Sequence, residues 1–482
     1  MPQRPTSPSR RAFDQSPSAR WSLRRRQPRQ KPARSFVRGS VALAVLLSAG
    51  LTPCSGSDWT RFRGENGSGI AADAGSIPTS WGEDQNLKWK CELPGPGASS
   101  PIVVGDRVFV TSWSGYADGS DAEGDLENLK RHLVCVDRAS GKILWKSTVD
   151  ATLPEDSFRG MFAENGYATH TPVSDGKRVF AFFGKSGVKA YDLNGTQLWE
   201  AMVGEERDGR GWGTASSPIL YKNLLIVTAS IEDRAIVALD TETGKQVWKQ
   251  QANGLESTWG TPILVQAGDQ TDLVIAVPYE VWGLNPDTGK LRWYCEAIDS
   301  NSMCSSVVAD GDVVYAIESG PGGGGSVAIR TGGKGDVTDR NILWKGSDRS
   351  RIGTPVVHEG RMYWISSGVA NCVDAKTGEE IYKARLSGGG GSGGENANEG
   401  GRGGRGGGRG GQDYSSPIIA DGKLIFCRRS GDTYVIKAGP EFEQLAVNRF
   451  SSSEGDFSAT PAAADGQLFI RSSKTLYCVS AN

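Results

Sequence analysis

Imidazole is the first side chain to look for in chemistry near neutral pH, and only three histidines, His132, His170 and His358, occur in 482 residues. They lie far apart in the chain, so a metal centre built on clustered histidines is not expected. His132 and His358 fit the ends of strands. An acidic run holds Asp118, Asp121, Glu123, Asp125 and Glu127, oxygen ligands of the kind calcium accepts. Its spacing misses the EF-hand pattern, and a solvated loop accounts for it. Serines are frequent, yet no Gly-x-Ser-x-Gly stands on a strand-to-helix turn, and no carboxylate pair can be singled out for hydrolysis. The expectation is therefore no catalytic residue and no metal ligand.

What the chain does carry at regular spacing is packing chemistry. Asp240-Thr241-Glu242-Thr243-Gly244-Lys245-Gln246-Val247-Trp248 combines a turn-forming Asp, a Gly able to take positive φ, and a Trp four residues later. Apolar and polar residues alternate on both sides, as in two paired strands. The same hairpin recurs from Asp137 to Trp145, Asn285 to Trp293 and Asp374 to Tyr382, one residue shorter from Asp192 to Trp199, and degraded before Trp344. The Trp residues are expected to hold neighbouring hairpins together.

Each hairpin is preceded by a small-residue anchor. Ser100-Pro101, Thr171-Pro172, Ser217-Pro218, Thr261-Pro262, Ser305-Ser306, Thr354-Pro355, Ser416-Pro417 and Thr460-Pro461 follow one another, with Val307 taken as the fifth anchor, at steps of 71, 46, 44, 45, 48, 62 and 44 residues. After an anchor come an apolar strand, a turn such as Gly105-Asp106 or Asp421-Gly422, a second strand, and the hairpin. Four strands per repeat of about 45 residues is the period of a propeller blade. The last repeat stops at its third strand, Leu476 to Val479, while Leu87-Lys88-Trp89-Lys90 matches the fourth strand Ile143-Leu144-Trp145-Lys146. The expected fold is all-β: an eight-bladed β-propeller of four-stranded blades, closed by an N-terminal strand that completes the last blade.

Residues 1–57 carry eleven Arg or Lys and one acid, net +10, so residues 58–482 carry −11 of the chain's formal −1. An acidic body speaks against a nucleic-acid groove. Residues 1–57 read as a basic, Pro- and Ser-rich leader followed by a secretory signal with the apolar core Val41 to Leu47. The expected location is exported, in the periplasm or cell envelope, with membrane attachment only if Cys54 is lipidated. Residues 58–86 read as an N-terminal strap and 87–482 as the propeller, with insertions near 113–130 and 388–411. The second insertion sets Arg402, Arg405 and Arg409 among glycines and reads as a flexible loop.

Projecting the repeat puts His170, Trp212, Trp259, Met303, Arg351, Tyr414 and Phe457 around one mouth of the axial channel. Two readings stay open: a binding rim of aromatic faces with Arg and His as polar anchors, or a plug of residues packed on one another. Two cysteine pairs are candidates for disulfides: Cys91 with Cys478 across the shared last blade, and Cys295 with Cys304 across the turn between blades.

The Asp-x3-Gly-x3-Trp repeat resembles that of the pyrroloquinoline-quinone-type β-propellers. The opening Trp59 to Gly69, followed by Leu87 to Lys90, is similar to a group of exported propellers of planctomycete-like bacteria. The third strands end in Val-Asp or Leu-Asp without the Trp-Asp dipeptide of the competing WD40 repeat. The resemblance implies one of two functions. Quinoprotein dehydrogenases hold the quinone on the axis with Ca²⁺, a catalytic Asp and commonly a disulfide between adjacent cysteines. The cofactor-free kind, including the outer-membrane assembly lipoprotein, is a binding scaffold. This chain has no Cys-Cys pair and no matching ligand set. The expectation is thus a non-catalytic scaffold without cofactor, binding a protein or polysaccharide partner on the propeller face. PQQ with Ca²⁺ belongs to the alternative of a quinone-dependent oxidoreductase, and a carbohydrate-acting propeller is a further alternative.

Overall fold

The computed structural model describes residues 58–119, 124–320, 323–389, 412–451 and 455–481. The leader with Cys54, the centre of the acidic run and the Gly-Arg tract lie outside these residues. Ser55 to Asn482 forms one contact unit.

Eight antiparallel blades of four strands are arranged in a ring. Blade three shows the plan: Ile219–Tyr221 innermost, then Leu224–Ala229, Ala235–Asp240 and Gln246–Gln251. The second and third strands are buried on both faces, which is why they read as continuous apolar runs. The outermost strand alternates, with Trp248 buried between exposed neighbours. The inner turns of blades six, seven and eight take left-handed backbone at two successive residues, as at Asp421 (φ 50°) and Gly422 (φ 66°), the geometry that matches strand twist in a two-residue hairpin. α-Helix is confined to Phe162–Asn165 and Thr338–Asn341 among the described residues, and no helix is long and apolar enough to cross a membrane.

The strand order of blade eight runs from Leu87–Glu92 through Thr475–Ser480 and Gln467–Arg471 to Ala462–Ala464. Trp89 pairs with Cys478 and Cys91 with Leu476. The two chain regions therefore share a blade, and the ring has no unpaired edge between first and last blades. That register also bears on the first disulfide. Cys91 and Cys478 are diagonal rather than opposite, where separations of about 7–8 Å exceed disulfide reach. Both are free thiols. Cys295 lies opposite Val281 within blade four, Cys304 is in the connection to blade five, and both are likewise free. The expected disulfides are not formed.

The hairpin repeat acquires a physical reason from the contacts between blades. The indole of Trp145 covers Gly195 of the next blade and donates to the carbonyl of Leu193 at 3.0 Å. Trp199 covers Gly244 and donates to Thr241, and Trp248 covers Gly289 and donates to Pro286, both at 3.0 Å. Within the hairpin, Asp240 Oδ1 accepts the Thr243 amide at 2.9 Å, holding the turn on which Trp199 lands. Trp293 departs from the pattern. The next blade has lost the hairpin glycine, and this indole donates instead to Asp272 of its own blade at 2.7 Å.

The anchors form a closed belt around the axis. The Ser100 amide donates to Thr171 Oγ1, Thr171 to Ser217, Ser217 to Thr261, Thr261 to Ser306, Ser306 to Thr354, Thr354 to Ser416, Ser416 to Thr460, and Thr460 back to Ser100, all at 2.9–3.0 Å. A hydroxyl is required at each anchor because it satisfies the neighbouring blade's buried amide. Ser306 fills the place in the repeat that lacks proline.

The strap crosses one end of the ring. Trp59 exchanges backbone hydrogen bonds with Val103 of blade one, and Ser174 of blade two donates to the Thr60 carbonyl, each at 2.9 Å. Arg63 is fully buried and donates to the carbonyls of Pro355 at 2.6 Å and Pro417 at 2.9 Å, just past the belt in blades six and seven. Arg61 reaches the Pro262 carbonyl in blade four at 3.1 Å.

Candidate functional site

At the other end of the belt, an axial cavity of about 110 Å³ opens through a mouth built from inter-blade connections. Its lining includes every belt residue, with Phe62 of the strap and, toward the mouth, Trp259, Ile352, Tyr414 and Asn165.

The connection between blades two and three is shaped by Asp208. Its carboxylate accepts the amides of Arg210 at 2.9 Å and Trp212 at 2.6 Å, a local turn that presents both side chains. Asn165 secures the loop through the Trp212 carbonyl at 3.0 Å. Trp212 then packs on Trp259, centroids 4.9 Å apart, while Trp259 donates to the Gly213 carbonyl at 2.6 Å. The guanidinium carbons of Arg210 and Arg351 lie 5.4 and 5.8 Å from the Trp212 ring centre. Arg351 thus brings a cation from the blade five–six connection onto an aromatic from another blade.

A second cluster surrounds Tyr414, whose hydroxyl donates to Glu164 at 2.7 Å. Arg429 donates to the same carboxylate at 2.8 Å and to Asp456 at 2.7 Å, and lies over the Tyr414 ring. Burial and the Glu164 charge push the Tyr414 phenol up, so it stays a neutral donor.

Of the seven projected rim residues, Trp212, Trp259, Arg351 and Tyr414 meet the mouth. The others do not. His170 is buried, bonded to Thr214 at 3.1 Å and packed on Phe182, and burial followed by the Arg131 charge lowers it to about 3. Met303 lies in the core between blades four and five, and Phe457 stacks on Tyr477. His358 ends its strand as expected, whereas His132 sits inside Lys130–Asp137, buried between Ser114 and Thr148. Arg210, Glu164 and Arg429 escaped the projection because they belong to connections of irregular length. The Asp208-Gly209-Arg210-Gly211 turn was the one available signal for Arg210.

Glu318 is pushed up to about 7 by burial, and its oxygens accept the amides of Cys304 at 2.6 Å and Ser319 at 2.9 Å. Among the described residues no three His, Cys, Asp or Glu side chains converge as a cation site.

Fold and mouth together define a closed eight-bladed propeller with an aromatic and arginine-bearing axial opening. The chain belongs to the PQQ-like repeat family whose model is described as outer membrane protein assembly factor BamB, which matches residues 87–233 and 185–438. It is 25% identical over 305 residues to a polyvinylalcohol dehydrogenase of a Sphingopyxis species, covering 53% of this chain and 42% of that protein. It is 27% identical over 183 residues to the outer membrane protein assembly factor BamB of Burkholderia pseudomallei, covering 36% and 38%. The chain spans about half the length of the curated relatives it matches first. Among solved structures, the computationally designed Ika8 protein superposes with a TM-score of 0.52 at 14% identity, covering 82% of this chain and 99% of that one, a likeness of fold alone.

Proposed function

We infer that this chain is an exported, non-catalytic scaffold that docks a segment of a partner protein at the channel mouth. The observation carrying this reading is the Trp212–Trp259 pair with the Arg351 guanidinium over it. Large amphipathic rings and arginine are the residues that dominate protein contacts. The family description, outer membrane protein assembly factor, supports a protein partner in the envelope.

Photo-cross-linking groups placed at Arg210 and Arg351, and at Val247 on an outer strand, test the assignment in cells. The same partner is expected from both mouth positions and not from Val247, and its capture is lost on Trp212→Ala with Arg351→Ala. Equal partner sets from mouth and outer strand would overturn it.

The dehydrogenase relatives support a second reading as a quinone-dependent oxidoreductase. Incubating the purified protein with pyrroloquinoline quinone and Ca²⁺, then measuring retained quinone absorbance and dye reduction, separates the two. Retention with turnover would replace the scaffold reading.

A further inference from the structure

The belt that closes the ring leaves hydrogen-bonding capacity unused. Each anchor oxygen accepts one backbone amide, and none of the eight donates its own proton to another group among the described residues. A Ser or Thr hydroxyl keeps one O–H donor after accepting. All eight side chains line the axial cavity, and Ser458 Oγ, buried on the same wall, has no partner. The cavity is a ring of neutral donors lacking acceptors.

The charge distribution has the matching sign. No Asp or Glu lines this cavity, although residues 58–482 carry a net −11. Phe62 closes its lower end, and the residues on either side of it, Arg61 and Arg63, are buried, Arg63 completely. Neither forms an ion pair with a described residue: Arg63 spends its donors on carbonyls, including that of the belt residue Thr354 at 3.3 Å, and Arg61 Nε is unpartnered. A buried cation without a counter-charge raises the potential of the space beside it.

Above the belt the wall changes character. Ile352, Trp259 and Tyr414 offer apolar and aromatic surface between the hydroxyl ring and solvent. An occupant matched to both zones has a hydrogen-bond-accepting anionic head and a hydrocarbon stem. Because the wall donors are neutral hydroxyls and the guanidiniums lie behind Phe62, the head suits a single negative charge better than a doubly charged phosphate.

We propose that the axial well of this propeller receives a carboxylate carried on an apolar stem, the head against the Ser/Thr belt and the stem against Trp259 and Ile352. The carboxylate is either a free hydrophobic acid or the C-terminal end of a docked polypeptide. This rests on the reading of the mouth as the docking face and names what enters it.

The test uses calorimetric titration of the purified chain with N-acetyl-phenylalanine, its amide, acetate, and a decapeptide ending in phenylalanine as free acid or amide. The acid is expected to bind at least tenfold more tightly than its amide. A further gain of tenfold or more for the decapeptide acid assigns the site to polypeptide ends, and no gain assigns it to free acids. Acetate, lacking the stem, is expected to bind more weakly. Thr261→Val removes one belt donor at equal volume and should weaken the acid several-fold. Should that variant fail to fold, Ile352→Glu places a like charge on the wall without touching the belt and should abolish acid binding. Equal binding of acid and amide, no binding of the acid to folded protein at millimolar concentration, or indifference to Ile352→Glu would each overturn the proposal. If the acid fails while Trp212→Ala with Arg351→Ala still loses the cross-linked partner, the well is wrong and the docking face stands.

Discussion

The indole of Trp89 covers Gly141, and its Nε1–H donates to the Arg138 carbonyl at 2.9 Å, so the N-terminal strand of the body seals blade eight onto blade one. A Cβ at Gly141 would lie 2.6 Å from the Trp89 ring, and the residue has φ of 73°. The contact leaves room for glycine alone and joins the two ends of the ring.

Gly141→Ala should destabilise the protein by about 2 kcal/mol or more, from left-handed strain plus the clash with the ring. Gly176→Ala is the control, since φ is 83° there with nothing within 4 Å of the added methyl. Denaturant midpoints should fall clearly further for the first than for the second. Equal losses would mean that the indole contact contributes little.

The belt makes a separate prediction about single hydroxyls. Ser217→Ala removes the acceptor of the Thr171 amide, bonded at 3.0 Å, and strands a buried N–H. The expected loss is about 1–3 kcal/mol, while Ser217→Thr keeps the oxygen and should cost less. Thermal melts of the pair decide it, and identical melting temperatures would argue against the belt as a source of stability.

Two buried groups should give stability opposite slopes with pH. Glu232 is buried and raised from 4.5 to about 7 by desolvation, so its folded form holds a proton that the unfolded chain has released. Its contribution is complete below 4.5 and lost as pH rises through 7. His170 is lowered from 6.5 to about 3, so its contribution is complete above 6.5 and lost as pH falls through 3. Glu232→Gln should flatten the decline between pH 4.5 and 7, and His170→Gln the rise between pH 3 and 6.5, each read from urea midpoints across pH. Unchanged profiles would mean that these groups are solvated.

Cys91, Cys295, Cys304 and Cys478 should all be thiols in the purified protein. Alkylation in denaturant without reductant, followed by peptide mass spectrometry, should find each modified. A linked Cys91–Cys478 peptide would show that the strands shift from the observed register.

The sequence by itself determined the blade count, the shared last blade and the small-residue anchors. These depend on short-range patterns repeated at a constant step: the Asp-x3-Gly turn, the Trp offset and the alternation of apolar residues. Repetition also showed Leu87 to Lys90 to be a displaced fourth strand. Only the tertiary structure decided which rim residues meet. Trp212 and Arg351 come from connections of unequal length, so equal offsets from an anchor do not give equal positions on the mouth, and His170, Met303 and Phe457 turn into the core instead. The same holds for the belt and for Arg63. Their hydrogen bonds run from blade to blade, or from the strap to residues hundreds of positions away, and such contacts exist only once the ring has closed.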